Sequence, residues 1–259
     1  MKRIIVSLSV LLVFMTSCPA LSFAADNPMV NNAKVFQGEK KQMGNGEAWS
    51  WVINDSEGKS AVIGITFTEK ALTGLSDADV PTVEYELSLP EQAKVAPYAH
   101  IVVNWNPHGH IPPGIYDVPH FDFHFYLISP GERYKITAVG DDIAVSDKKL
   151  PPEFVPENYI LPEGTQEPRM GSHRVDPGSP EFNNQPFTRT FIYGSYNGEL
   201  IFLEPMASKA YLDTKPNITE KIKLPAAYKK HGFYPTSYSV KYYQERKEYV
   251  VSLDGLTYR

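Results

Sequence analysis

The chain has 259 residues, 42% of them hydrophobic, and 30 acidic against 25 basic side chains give it a net charge of −5. That length supports one large domain or two small ones with a sizeable core, and mild acidity without a basic run speaks against a nucleic-acid binder. Cys18 is the single cysteine, which rules out an internal disulfide.

The N-terminus reads as an export signal. Lys2 and Arg3 form a basic start, Ile4 to Met15 an apolar run, and Ser22-Phe23-Ala24 a small-residue cleavage site. Residues 1–24 are therefore expected to be a signal peptide cleaved after Ala24, leaving a soluble periplasmic or secreted protein. The apolar run is shorter than the ~20 residues of a spanning helix, and no second one follows, so no integral membrane segment is expected in the mature chain. Met15-Thr16-Ser17-Cys18 offers a competing reading as a lipoprotein box with Cys18 lipidated. Met15 fits that box less well than Ser22-Phe23-Ala24 fits ordinary cleavage. Loss of the leader shifts the net charge from −5 to −7 and removes the only thiol.

Residues 25–45 are polar and read as an N-terminal arm with one short strand. Strand signals then follow closely at Ala48 to Ile53, Ala61 to Thr68 and Thr82 to Leu89, with Ala71 to Ala78 a short helix or turn. Ala99 to Trp105 alternates again, and Pro112-Pro113-Gly114 marks a turn. The strand His120 to Tyr126 comes next, then a Pro130-Gly131 turn and an expected partner strand, Tyr134 to Val139. Eight prolines between Leu150 and Pro186 leave no sustained pattern. A segment so irregular inside one domain is read as a loop folded over a site. Thr188 to Tyr196 and Glu199 to Glu204 make a hairpin around Asn197-Gly198, Ala207 to Leu212 a helical turn, and Tyr238 to Tyr243 with Tyr249 to Leu253 a last hairpin. The expectation is mainly β: a single β-sandwich or barrel-like domain over 46–259, with one or two short helices and a long Pro-rich loop.

The strand Pro119-His120-Phe121-Asp122-Phe123-His124-Phe125-Tyr126 carries the chemistry. Alternation sends His120, Asp122 and His124 to one face and three phenylalanines to the other. Imidazole plus carboxylate suits a divalent transition metal such as zinc, iron or manganese; the plain alternative is a solvent-facing polar face. His120 and His124 stand ~13 Å apart on a straight strand, so one ion needs further ligands. Glu204 shares a face with Leu200 and Phe202 and requires a buried partner. His173, after Gly171 in the Pro-rich stretch, can be turned inward. His108 and His110, flanking Gly109, are placed at the mouth of a site, and His231 in a turn. No Gly-x-Ser-x-Gly elbow or phosphate loop is present, and no organic cofactor is expected.

Trp105-Asn106-Pro107-His108-Gly109-His110, the His-Phe-Asp-Phe-His block, Met170-Gly171-Ser172-His173 and Tyr193-Gly194 through Phe202-Leu203-Glu204-Pro205-Met206 recur in that order in one family. From about Gly46 to its end the chain resembles this uncharacterised family of secreted, β-rich bacterial proteins. Its best-known member is a thermophile protein under an extracytoplasmic-function sigma factor and its anti-sigma partner. The resemblance implies a β-rich homo-oligomer and groups His120, Asp122, His124, His173 and Glu204 into one pattern; it implies no activity. Sequence thus leads to an exported protein with a His/carboxylate metal site, open to a small-molecule ligand. The rivals are a non-haem iron oxygenase using His120-x-Asp122 with His173, and a non-catalytic envelope-stress or ligand-binding protein whose polar strand is structural.

Overall fold

Period-two alternation sorts this chain into layers. The computed structural model describes residues 33–78 and 82–259; the expected signal peptide, Cys18 and residues 25–32 of the arm lie outside them. The chain begins with β1 (Lys34–Gln37), β2 (Lys41–Met43), β3 (Gly46–Asn54) and β4 (Ser60–Thr68). It then builds a second sheet in one run from β5 (Val83–Ser88), β6 (His100–Asn106), β7 (His120–Tyr126), β8 (Gln166–Glu167), β9 (Gly171–Arg174), β10 (Arg189–Tyr196) and β11 (Glu199–Ser208). β12 (Asn217–Lys221), β13 (Phe233–Tyr234), β14 (Ser237–Tyr243), β15 (Glu248–Asp254) and β16 (Thr257–Tyr258) complete the set.

One seven-stranded sheet runs β1-β3-β4-β15-β14-β12 with β2 also on β3, the other β5-β6-β7-β11-β10-β9-β8, and β13 pairs with β16. The inner faces meet through aromatic rings. Phe67 of β4 stacks on Phe121 and Phe123 of β7, centroids 6.3 and 5.8 Å apart, and on Tyr249 of β15 at 5.2 Å. Ile101, Val103, Phe125 and Leu203 fill the same layer and are fully buried. Each such side chain contributes roughly 1.5–3 kcal/mol by leaving water. The mainly β, sandwich- or barrel-like architecture is as expected; the described residues include three short α-helices where one or two were expected: α1 (Pro130–Arg133), α2 (Asp142–Ser146) and α3 (Lys209–Asp213).

Both hairpins form. At the first, Asn197 and Gly198 have φ of 51° and 75°, the left-handed pair that a two-residue turn matched to strand twist requires. Tyr134 to Val139 is not a strand. Ser129 accepts a hydrogen bond from the Glu132 amide while the Glu132 carboxylate accepts one from the Ser129 amide at 2.8 Å. This capping box, with Pro130 in the first turn, starts a four-residue helix at the expected Pro130-Gly131 turn, and the expected strand after it does not form. β11 also runs past Glu204, through Pro205, to Ser208. The Pro-rich stretch is not wholly irregular, since it supplies β8 and β9 to the edge of the sheet.

Gly194 shows how tightly the outer face of the second sheet is packed. It pairs with Phe202, and a Cβ on it would lie 2.0 Å from the Phe202 ring. Gly194→Ala is expected to cost about 2–3 kcal/mol through overpacking, read as a lower urea midpoint; an unchanged midpoint would show that the ring has somewhere else to go.

Candidate metal centre

The polar face of β7 points away from the sandwich core, yet it does not reach solvent. His120 and His124 are completely buried, Asp122 is 3% exposed and Glu204 1%. Neighbouring strands extend this face. Asn106, Asn104 and Val102 of β6 stand opposite His120, Asp122 and His124, and Met206 and Ser208 of β11 opposite Asp122 and His120. Pairing with β7 lapses at Glu204 and Pro205, between Leu203 and Met206, because a proline offers no N–H to the ladder. That register sets Glu204 beside His124.

The five residues singled out from sequence divide into two groups, and His110 joins them. His124, His173 and Glu204 form one triad and His110, His120 and Asp122 the other, with the potential ligand atoms of each within 4.8 Å of one another. In the first, Nε2 of His124 is 3.4 Å from Oε1 of Glu204 and Nε2 of His173 is 3.9 Å from Oε2. In the second, Nε2 of His120 is 3.2 Å from Oδ1 of Asp122 and Nε2 of His110 is 3.5 Å from Oδ2. His120 and His124 thus belong to different sets, and the combination of His120, Asp122 and His173 does not assemble.

Local backbone delivers each ring. His173 lies on β9 opposite Gly194; it follows Gly171, whose φ of +70° and 2.5 Å clearance to the Ser195 carbonyl exclude a side chain. Phe202, lodged over Gly194, meets His124 edge-on at 4.7 Å and His173 at a tilt at 5.5 Å. His110 follows Gly109, with φ of +71° and a would-be Cβ 2.2 Å from the Tyr116 carbonyl. Its ring meets His120 edge-on at 4.5 Å.

Three imidazoles are oriented in the same way. Nδ1 of His110 contacts the Ile111 carbonyl and Nδ1 of His120 the Val118 carbonyl, each at 2.7 Å, and Nδ1 of His173 the Thr165 carbonyl at 2.8 Å. A carbonyl can only accept, so the ring proton sits on Nδ1 and, in the neutral ring, the Nε2 lone pair faces the carboxylate. This is the arrangement outer groups impose on metal-ligating histidines. Nε2 of His120 and His124, Oδ1 of Asp122 and Oε2 of Glu204 are buried without any hydrogen-bond partner. Buried polar atoms ordinarily have one; two of these four belong to each triad, and a cation held in a triad would satisfy its pair.

The two triads differ electrostatically. Burial pulls His124 down to about 3 and His173 to about 4, so both rings are neutral and able to ligate near pH 7. Burial, then the Asp122 charge, push the Glu204 carboxyl well above its ordinary range. Burial works against the Asp122 carboxylate too, but His120 and His110 outweigh it and hold the group well below the ordinary range. The Asn106 amide donates to Oδ2 of Asp122 at 2.7 Å and is itself held by the Thr82 hydroxyl at 2.7 Å.

A cavity of about 300 Å³ opens onto both triads, lined by His110 and Asp122 from one, His173 from the other, and Thr165, Glu167 and Met170 of the Pro-rich stretch. That stretch therefore does lie over the site. His108, 4.0 Å from the exposed Asp77, and His231, near the Arg259 carbonyl, lie elsewhere. From sequence His110 is placed only at the mouth of a site. Its signal was Gly109, a positive-φ position one residue before it, together with the adjoining turn.

Residues 55–105 match a family model described as TTHB210-like, hypothetical protein TTHB210. The match supports, over that stretch, the family resemblance drawn from the motifs; it covers less than half the chain and ends before the first candidate ligand. No curated protein and no solved structure matches the chain. Among the described residues no helix is long and apolar enough to cross a membrane.

Beside the triads, His100 stacks on Tyr126 at 4.8 Å and is 2% exposed. Burial lowers it to about 4. The unfolded chain therefore takes up this proton first: the stabilisation is complete above about pH 6.5 and is lost as pH falls from there towards 4. Urea titrations in chelator at pH 7.5 and 5.0 should show a drop about 2 kcal/mol smaller in His100→Asn than in the parent; equal drops would place the acid sensitivity elsewhere.

Proposed function

We propose that this chain is an exported metalloprotein whose ion is held by His124, His173 and Glu204. The observation that carries the reading is the set of buried, unpartnered ligand atoms, Nε2 of His124 and Oε2 of Glu204, with the His173 ring aimed at the same carboxylate by the Thr165 carbonyl. Two imidazoles and one carboxylate suit zinc, iron or manganese and leave coordination positions free. His173 lines the cavity, so those positions face a space the size of a small-molecule ligand. Bound there, such an ion supplies Lewis-acid chemistry, polarising an oxygen or activating a water. Phe202 fixes both rings, and Glu204 offsets one of the ion's charges.

Export rests on the leader: Lys2-Arg3, the apolar run and Ser22-Phe23-Ala24 support a periplasmic or secreted protein released after Ala24. The two-histidine-one-carboxylate composition, present in each triad, also favours an iron oxygenase-like enzyme. Ferrous-dependent oxygen uptake would select that reading, and inertness to iron would remove it.

Protein purified without a tag should contain close to one equivalent or more of transition metal and gain thermal stability when it is restored after chelation. His173→Ala is expected to weaken binding at least ~100-fold, beyond the 10–100-fold usual for an outer-shell partner, with the far-UV spectrum unchanged. Less than about a tenth of an equivalent, unaltered on soaking, would defeat the proposal. Unfolding of His124→Ala with metal content unaffected would make the polar strand structural.

A further inference from the structure

The two triads stand one strand step apart on a single face, and the second is built as completely as the first. We propose that His110, His120 and Asp122 hold a second divalent cation, and that the two ions together bind a small oxyanion entering from the cavity. The inference rests on the reading of His124, His173 and Glu204 as the first ion's ligands.

Three observations carry it. The first is preorganisation. Both rings are anchored through Nδ1 to carbonyls of the covering loop, of Ile111 and Val118, so both Nε2 atoms converge on Asp122 at 3.2 and 3.5 Å. Nε2 of His120 and Oδ1 of Asp122 have no hydrogen-bond partner and are buried, while Oδ2 is steadied by Asn106 and, behind it, Thr82. Metal-ligating histidines ordinarily have their second ring nitrogen held in this way.

The second is spacing. Asp122 and His124 are same-face neighbours on β7, a separation of ~6.5–7 Å between their Cα atoms. Ions sharing one bridging oxygen stand ~3.5–4 Å apart. With the triads set side by side one strand step apart, an anion that offers a different oxygen to each ion, through bonds of ~2 Å each, suits the pair.

The third is charge. Each divalent ion meets one carboxylate and two imidazoles, which leaves one positive charge per triad. Ile111, Pro112, Met170, Val175 and Ile192 make much of the cavity wall apolar, and among the described residues Glu167 is its one further acid. Excess positive charge in such a space is costly unless an anion is taken up with it. A phosphate- or carboxylate-type oxyanion answers both the charge and the spacing.

Zinc content after equilibrium dialysis, with inorganic phosphate as probe, tests the proposal. The parent protein should hold two equivalents, His110→Ala one and His173→Ala one, each folded by circular dichroism. His110 lies on a loop with a partly exposed ring, so its removal spares the sheet, and His110→Gln provides a milder second variant. Phosphate should raise the melting temperature of the two-zinc protein and bind each one-zinc variant at least tenfold more weakly. A parent with one equivalent, lost in His173→Ala and kept in both His110 variants, overturns this inference while the proposed function stands. A parent without zinc, manganese or iron overturns both. Two equivalents with no phosphate response, or an equal response in the single variants, overturns the shared oxyanion.

Discussion

Two carboxylates, Asp122 and Glu204, lie almost completely buried on the outer face of a seven-stranded sheet, and the rest of the site follows from that. Removing a charge from water costs several kcal/mol unless partners replace the lost solvent. Asp122 has two imidazoles and the Asn106 amide around it. Glu204 has two imidazoles, one of which presents a fixed lone pair. An outer face left to water would require none of this. Here the segment between β6 and β7 and the Pro-rich stretch make a third layer, and its backbone carbonyls orient the rings.

That layer explains why three histidines are aimed by main-chain atoms. A carbonyl positioned by a loop stays where the backbone puts it, whereas a side-chain acceptor would itself need holding. The carbonyls of Ile111, Val118 and Thr165 come from two separate segments, so the site is complete only where both segments lie over the sheet. Gly109 and Gly171 pay for this in conformational freedom, each with positive φ and no room for a Cβ.

What could be read from sequence was what alternation and turn chemistry encode. The division of β7 into a phenylalanine face and a His/Asp face needs only period two, and the Asn197-Gly198 hairpin needs only two left-handed residues. Glu204 was legible because a carboxylate in phase with Leu200 and Phe202 cannot be left alone. Less was legible where a contact is made between distant segments. The grouping of His173 with Glu204, and of His110 with Asp122, depends on β9 and on the loop after β6 folding over the sheet, and no local pattern contains that. Tyr134 to Val139 misled because its apolar alternation imitates a strand, while the competing signal was the Ser129/Glu132 capping box just before it.

Pro205 shows how the sheet accommodates its cargo. A proline inside a central strand forfeits a ladder hydrogen bond, and β11, between β7 and β10, is such a strand. The pairing with β7 lapses at Glu204 and Pro205 and resumes at Met206 without losing register, so the loss is confined to one step. On the inner side the aromatic stack of Phe67, Phe121 and Phe123 continues across that step. The cohesion of β7 therefore comes from its buried phenylalanine face, which holds the strand in place where its hydrogen bonds are interrupted. The two faces of β7 are in this sense one device: the apolar side supplies the rigidity that lets the polar side keep unsatisfied ligand atoms in position.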